Sequence, residues 1–102
     1  MRLIIGGVYQ GRESYAREKY GKDINIYRGV MDDLRAGLDK KAIILKAVEA
    51  DAVIAEEPYC GLAPMDMEIN KLYENYGRVM EQIASEAESV ERVVCGLAQS
   101  LK

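Results

Sequence analysis

The sequence predicts an α/β fold, a small parallel sheet of about four strands flanked by helices. Three observations lead there. Short, near-continuous apolar runs alternate with segments of helical periodicity, in the order strand–helix–strand–helix–strand–helix–strand. A glycine turn, Gly6 to Gly11, joins the first apolar run to the first helical segment. The chain has 102 residues, 49% of them hydrophobic, which suits one domain with a single modest core.

Met1 to Ile5 is apolar enough for a short buried strand, and Ser14 to Tyr20 has helical character. Gly21-Lys22-Asp23 marks a turn, and Ile24 to Tyr27 alternates as a second strand. Asp32 to Ala36 forms a short helix stopped by Gly37. Asp39 is placed to cap a helix from Lys40 to Ala50, with Ile43, Ile44, Ala47 and Val48 on one face. Ala52 to Ala55 is a third buried strand. Glu56 to Pro64 is a loop, since two prolines and a glycine exclude regular structure there. Asp66 caps the longest helix, which runs to about Ser89 with Ile69, Leu72, Tyr73, Tyr76, Val79, Met80, Ile83 and Ala87 in register. Gly77 lies in that stripe and predicts close packing against a neighbour. Glu91 to Gly96 is the last strand, followed by a polar tail. There are no internal repeats and no low-complexity linker.

A parallel sheet places ligands beyond the carboxyl ends of its strands. The glycine loop and the Glu56–Pro64 loop both emerge on that edge. In a phosphate-binding loop, backbone N–H groups and the helix N-terminus cradle phosphate oxygens. A Lys after the last Gly reaches the terminal phosphates, and the next Ser or Thr binds Mg²⁺. This sequence keeps the glycine spacing at Gly6 and Gly11, with Gly7 between them, but carries Arg12 and Glu13 at those two chemical positions. The fold expected is therefore P-loop NTPase-like with an altered site. Arg12 retains a positive charge and a planar fork for phosphate. Glu13 sits in the first helical turn, where the dipole favours a carboxylate. It can fill the niche of a phosphate from within the chain, or ligate Mg²⁺ directly; a plain strand–turn–helix with a favourable first-turn acid is the alternative. Tyr9 and Gln10 line the pocket.

Composition narrows the chemistry. Fourteen basic residues against seventeen acidic ones give a net charge of −3, which argues against nucleic-acid binding driven by phosphate neutralisation. No apolar run reaches membrane-spanning length, and the first residues enter a strand without signal-peptide blocks, so the expected location is cytoplasmic. Cys60 and Cys95 lack paired-ligand spacing and the chain has no His, which leaves no zinc site and predicts reduced, partly buried thiols. Without His, acid–base work would fall to carboxylates, Lys or Tyr. Seven Tyr with no Phe or Trp predict rings at the core boundary or in a subunit interface.

Several blocks together resemble one family. Leu3-Ile4-Ile5-Gly6-Gly7 with Gly11, Ala16 and Gly21 is similar to the start of the adenosylcobinamide kinase / adenosylcobinamide-phosphate guanylyltransferase family. Ile54 to Pro64 resembles that family's Asn-Glu-Val-Gly-x-Gly-x-x-Pro loop. Tyr76 to Ala84 resembles its Gly-Arg-x-Asn-Gln helix, and Val90 to Lys102 its closing Val-x-x-Val-x-x-Gly strand and Lys tail.

The resemblance implies a P-loop enzyme of the late cobalamin pathway. Such an enzyme phosphorylates a corrinoid's aminopropanol arm with ATP or GTP and Mg²⁺, then transfers guanylyl through a covalent histidine. It also implies a homo-oligomer, a trimer in that family, with active sites near subunit boundaries. Gly6, Gly7, Gly11, Glu57, Gly61, Pro64, Gly77 and Arg78 match the family pattern, whereas Arg12, Glu13, Glu56, Pro58, Tyr59, Met80 and Glu81 depart from it. The chain is also much shorter, lacking length between the first helix and the Glu56–Pro64 loop. With no His, the covalent guanylyl route cannot operate.

The expectation is thus a divergent, shortened relative that retains at most phosphate or nucleotide binding, or binds a corrinoid-related ligand. The candidate ligand residues are Gly6, Gly7, Gln10, Gly11, Arg12 and Glu13, the last also for metal. Glu57 is the candidate for polarising a hydroxyl or holding a metal, with Glu56, Gly61 and Arg78 as further candidates. Two alternatives stay open: a non-catalytic oligomeric assembly or regulatory subunit, and a minimal kinase in which Arg12 and Glu13 take over the lost roles.

Overall fold

The computed structural model describes residues 1–7, 10–57 and 67–102. Its elements are β1 (Arg2–Ile5), α1 (Arg12–Tyr20), β2 (Ile26–Tyr27), α2 (Val30–Arg35), α3 (Lys40–Glu49), β3 (Ala52–Ala55), α4 (Met67–Glu86), β4 (Ser89–Val94) and β5 (Leu97–Ser100). They build one sheet in the order β2-β3-β1-β4-β5, parallel except for the β4–β5 hairpin. The architecture is therefore α/β, with a mostly parallel sheet of five strands.

β1 lies at the centre. Leu3 is in register with Val53 and Val90, and these face α2, α3 and α4 across the main core with Ile43, Tyr76, Val79 and Ile83. Ile4 and Ile54 turn to the opposite face, where α1 covers them with Ala16. Crossovers running in opposite directions along a sheet must place their helices on opposite faces if both are right-handed. The β1 connection leads towards β2 and the β3 connection towards β4, and α1 and α4 accordingly cover opposite faces.

Several expectations shift at the boundaries. The polar tail is a fifth strand, and β4 starts at Ser89, where the helix was expected to end. The cause is a two-residue turn at Cys95 (φ 52°) and Gly96 (φ 77°), a pair of left-handed residues that returns the chain antiparallel. Cys95 is exposed there, not half-buried. On α3, Val48 faces solvent instead of sharing the face of Ile43 and Ala47, and Asp39 makes no side-chain cap. Gly77 permits no close packing: among the described residues nothing lies within 4 Å of a Cβ placed there. Asp66, Cys60 and the other residues of 58–66 lie outside the described residues.

The α1 face holds a feature that no pattern announced. Glu91, in register with Ile4, is only 4% exposed. The hydroxyls of Tyr15 and Tyr20 both donate to its carboxylate, and Lys19 Nζ lies at 3.3 Å. The two rings meet edge to face at 6.4 Å, and the Arg2 guanidinium sits 4.2 Å over Tyr20. Burial pushes the Glu91 carboxyl up, but the two phenols and the ammonium outweigh it and hold it below the ordinary range.

Glu91→Gln should therefore lower stability by about 1–3 kcal/mol, because an amide cannot satisfy the same donors. Urea unfolding near neutral pH reads this. The unfolded chain takes up a proton near the ordinary Glu pKa of about 4.3, while native Glu91 resists it. Wild-type stability should fall as pH drops below that value, and the Gln variant should fall less steeply.

Candidate functional site

A cleft of about 430 Å³ opens where the carboxyl ends of β2 and β3 meet the N-terminus of α1. The turn from β1 into α1 depends on Gly6. There φ is +156°, and a Cβ would stand 2.6 Å from the Val93 carbonyl oxygen and 3.4 Å from the Arg12 stem. Gly11, at φ +85°, starts α1 without a side-chain cap. The glycines thus let the chain pass close over β4 and turn sharply into the helix.

Arg12, Arg28 and Arg35 line the cleft, opposed by Glu13, Asp32 and Glu56. The arginines are not equivalent. Arg28 is bound to Glu13, whose carboxylate also takes Arg17 at 3.5 Å. Arg12 and Arg35 have no ion-pair partner among the described residues. The Arg28 hydrogen bond, reinforced by Arg17, holds the Glu13 carboxyl below the usual range.

Tyr76, buried on α4, forms the back wall and donates 2.5 Å to the Glu56 carbonyl. Burial, with the Glu56 charge beside it, pushes the phenol up to about 12, so it stays a donor at neutral pH. That bond fixes the end of β3 while the Glu56 carboxylate has no partner among the described residues.

The sequence candidates divide. Gly11, Arg12, Glu13 and Glu56 line the cleft, and Gly6 lies against the stem of Arg12. Gln10 faces the β4–β5 turn: its Oε1 accepts from the Cys95 N–H at 2.6 Å, and its carbonyl from the Gly96 N–H at 2.9 Å. Gly7 and Glu57 border a neighbouring hollow, where Glu57 is paired with Arg92. Arg78 reaches neither and forms an exposed i,i+4 pair with Glu74 at 2.7 Å. Gly61 and Tyr9 lie outside the described residues.

Glu13 does not fit a metal role in this arrangement. Two guanidinium groups occupy its carboxylate, and no group of three or more metal-ligating side chains gathers among the described residues. No helix of the described residues is long and apolar enough to cross a membrane.

Arg28, Arg35 and Tyr76 escaped the sequence reading of the site. A usable signal existed for Arg28, which directly follows β2 and so stands at the ligand edge of a parallel strand. Arg35 and Tyr76 reach the cleft only through the packing of α2 and α4. No protein-family model matches the chain, and no curated protein matches it.

Gly6→Ala should destabilise the fold by roughly 1–3 kcal/mol through its left-handed backbone and the contact with Val93, read as a lower urea midpoint. Glu13→Gln removes the counter-charge of Arg28. It should strengthen binding of pyrophosphate severalfold by calorimetry at low salt; unchanged or weaker binding would show that Glu13 does not restrain Arg28.

Proposed function

We propose that this chain binds a phosphate-bearing ligand, a nucleotide in particular, in the arginine-lined cleft, and that it is a shortened P-loop-type relative of the adenosylcobinamide kinase / guanylyltransferase family. One observation carries the reading: two guanidinium groups with no ion-pair partner among the described residues, Arg12 and Arg35, line one cleft with Arg28 beside the N-terminus of α1 at the sheet's carboxyl edge. Guanidinium forks and free backbone N–H groups at a helix start are the groups that hold phosphate oxygens. The Glu56 and Asp32 carboxylates, without side-chain partners among the described residues, suit hydroxyl donors, which favours a ligand carrying a sugar or an alcohol over a bare anion.

The chain's own residues bind and orient; no proton transfer or displacement is assigned to them. With no His in the sequence, guanylyl transfer through a phosphoramidate is absent from the proposal. Mg²⁺, if it enters, comes with the nucleotide and not on a preformed carboxylate cluster.

Calorimetry with ATP, GTP and pyrophosphate, each with and without Mg²⁺, tests this. Binding is expected without Mg²⁺ and should weaken with salt. Arg12→Ala and Arg35→Ala should each reduce affinity about tenfold or more, the worth of a charged hydrogen bond of about 1.5–3 kcal/mol. Absence of heat for all three ligands, or binding indifferent to both arginines, would reject the assignment.

A further inference from the structure

We propose that two copies of this chain join through β5, antiparallel edge to edge, into one continuous sheet across a two-fold axis. Among the described residues β5 pairs with β4 alone, and each of its residues is exposed. Leu97 is 77% exposed, Leu101 52% and Val94 45%, which gathers large apolar side chains at this one edge. The strand Leu97-Ala98-Gln99-Ser100 carries no charge and no proline, the usual guards of an open edge. Lys102 could serve as a guard, but its ammonium is turned back onto the carbonyls of Ala84, Ser85 and Ala87 at the end of α4.

The occupant follows from register. The Leu101 N–H donates to Val90, so by alternation Leu97 and Gln99 also turn their backbone groups to β4. Ala98 and Ser100 turn theirs outward. An axis through Gln99 then sets Ala98 opposite Ser100 of the second copy, exchanging both backbone hydrogen bonds, and does so twice. The same register places Leu97 opposite Leu101 of the second copy in non-hydrogen-bonded pairs, where side chains approach most closely. Gln99 meets its own copy, amide to amide. The edge is thus complementary to itself and meets no like charge, which is what an isologous contact requires. This is a dimer, where the family resemblance implies a trimer.

Light scattering and sedimentation over a dilution series test it. The wild type should show twice the chain mass, falling to one chain on dilution. Ala98→Pro removes an outward N–H and leaves the ladder to β4 intact; it should be a monomer with an unchanged far-UV spectrum. A wild type that is monomeric throughout or trimeric, or a folded Ala98→Pro that stays dimeric, would overturn the proposal. Should the proline variant not fold, hydrogen exchange on the wild type decides. Ala98 and Ser100 amides must be protected at high concentration and exposed on dilution; exchange independent of concentration counts against it.

Discussion

A single buried carboxylate holds α1 to the sheet. That helix fully buries only Ala16, so apolar contact alone anchors it weakly. Glu91 gathers Tyr15, Tyr20 and Lys19 from one face of α1, and Arg2 from the sheet closes over the second ring. Burying a carboxylate costs much of what its partners return. What the cluster adds is geometry: three donors spaced along one helix fix both its rotation and its height above β1. The first turn of the same helix carries Arg12 and Glu13, so the cleft inherits its shape from a contact on the opposite side of the helix's length.

The cleft lies at the carboxyl ends of strands whose following helices cover opposite faces of the sheet. β1 and β3 run parallel in register, Ile5 beside Ala55, and the chain leaves one towards α1 and the other towards α4. The gap between them is bordered by α2, whose two arginine-bearing ends are Arg28, just before it, and Arg35, its last residue. Three guanidinium groups facing three carboxylates would cancel at long range. At contact distance they do not, since Glu13 engages Arg28, while Arg12 and Arg35 have no ion-pair partner among the described residues. Glu13 tethers Arg28 and Arg17, and Gln10 accepts two N–H groups of the hairpin turn.

That hairpin ties the two ends of the sequence together. Gln10 receives two backbone N–H groups from Cys95 and Gly96, so the turn that creates β5 also braces the glycine loop. The open edge and the cleft therefore share a support without sharing residues that would touch a ligand.

The strand cores were legible in the sequence, because Leu3, Ile4, Val53 and Ile54 are apolar on both sides, as strands covered on both faces must be. The glycine loop was legible too, since a positive φ and a 2.6 Å approach to Val93 leave no room for a side chain at Gly6. Fold class and the ligand edge follow from these local facts. The rest depends on distant partners. Glu91 looks like a solvent-facing strand residue until α1 brings two phenols to it; Arg28, Arg35 and Tyr76 converge only once α2 and α4 pack; Glu57 finds in Arg92 a counter-charge that spacing alone did not reveal. Periodicity determined which segments are strands and helices, since it reports a residue's own side of an element. Only the tertiary structure decided which charges are paired and which stay open, because that depends on distances between elements far apart in the chain.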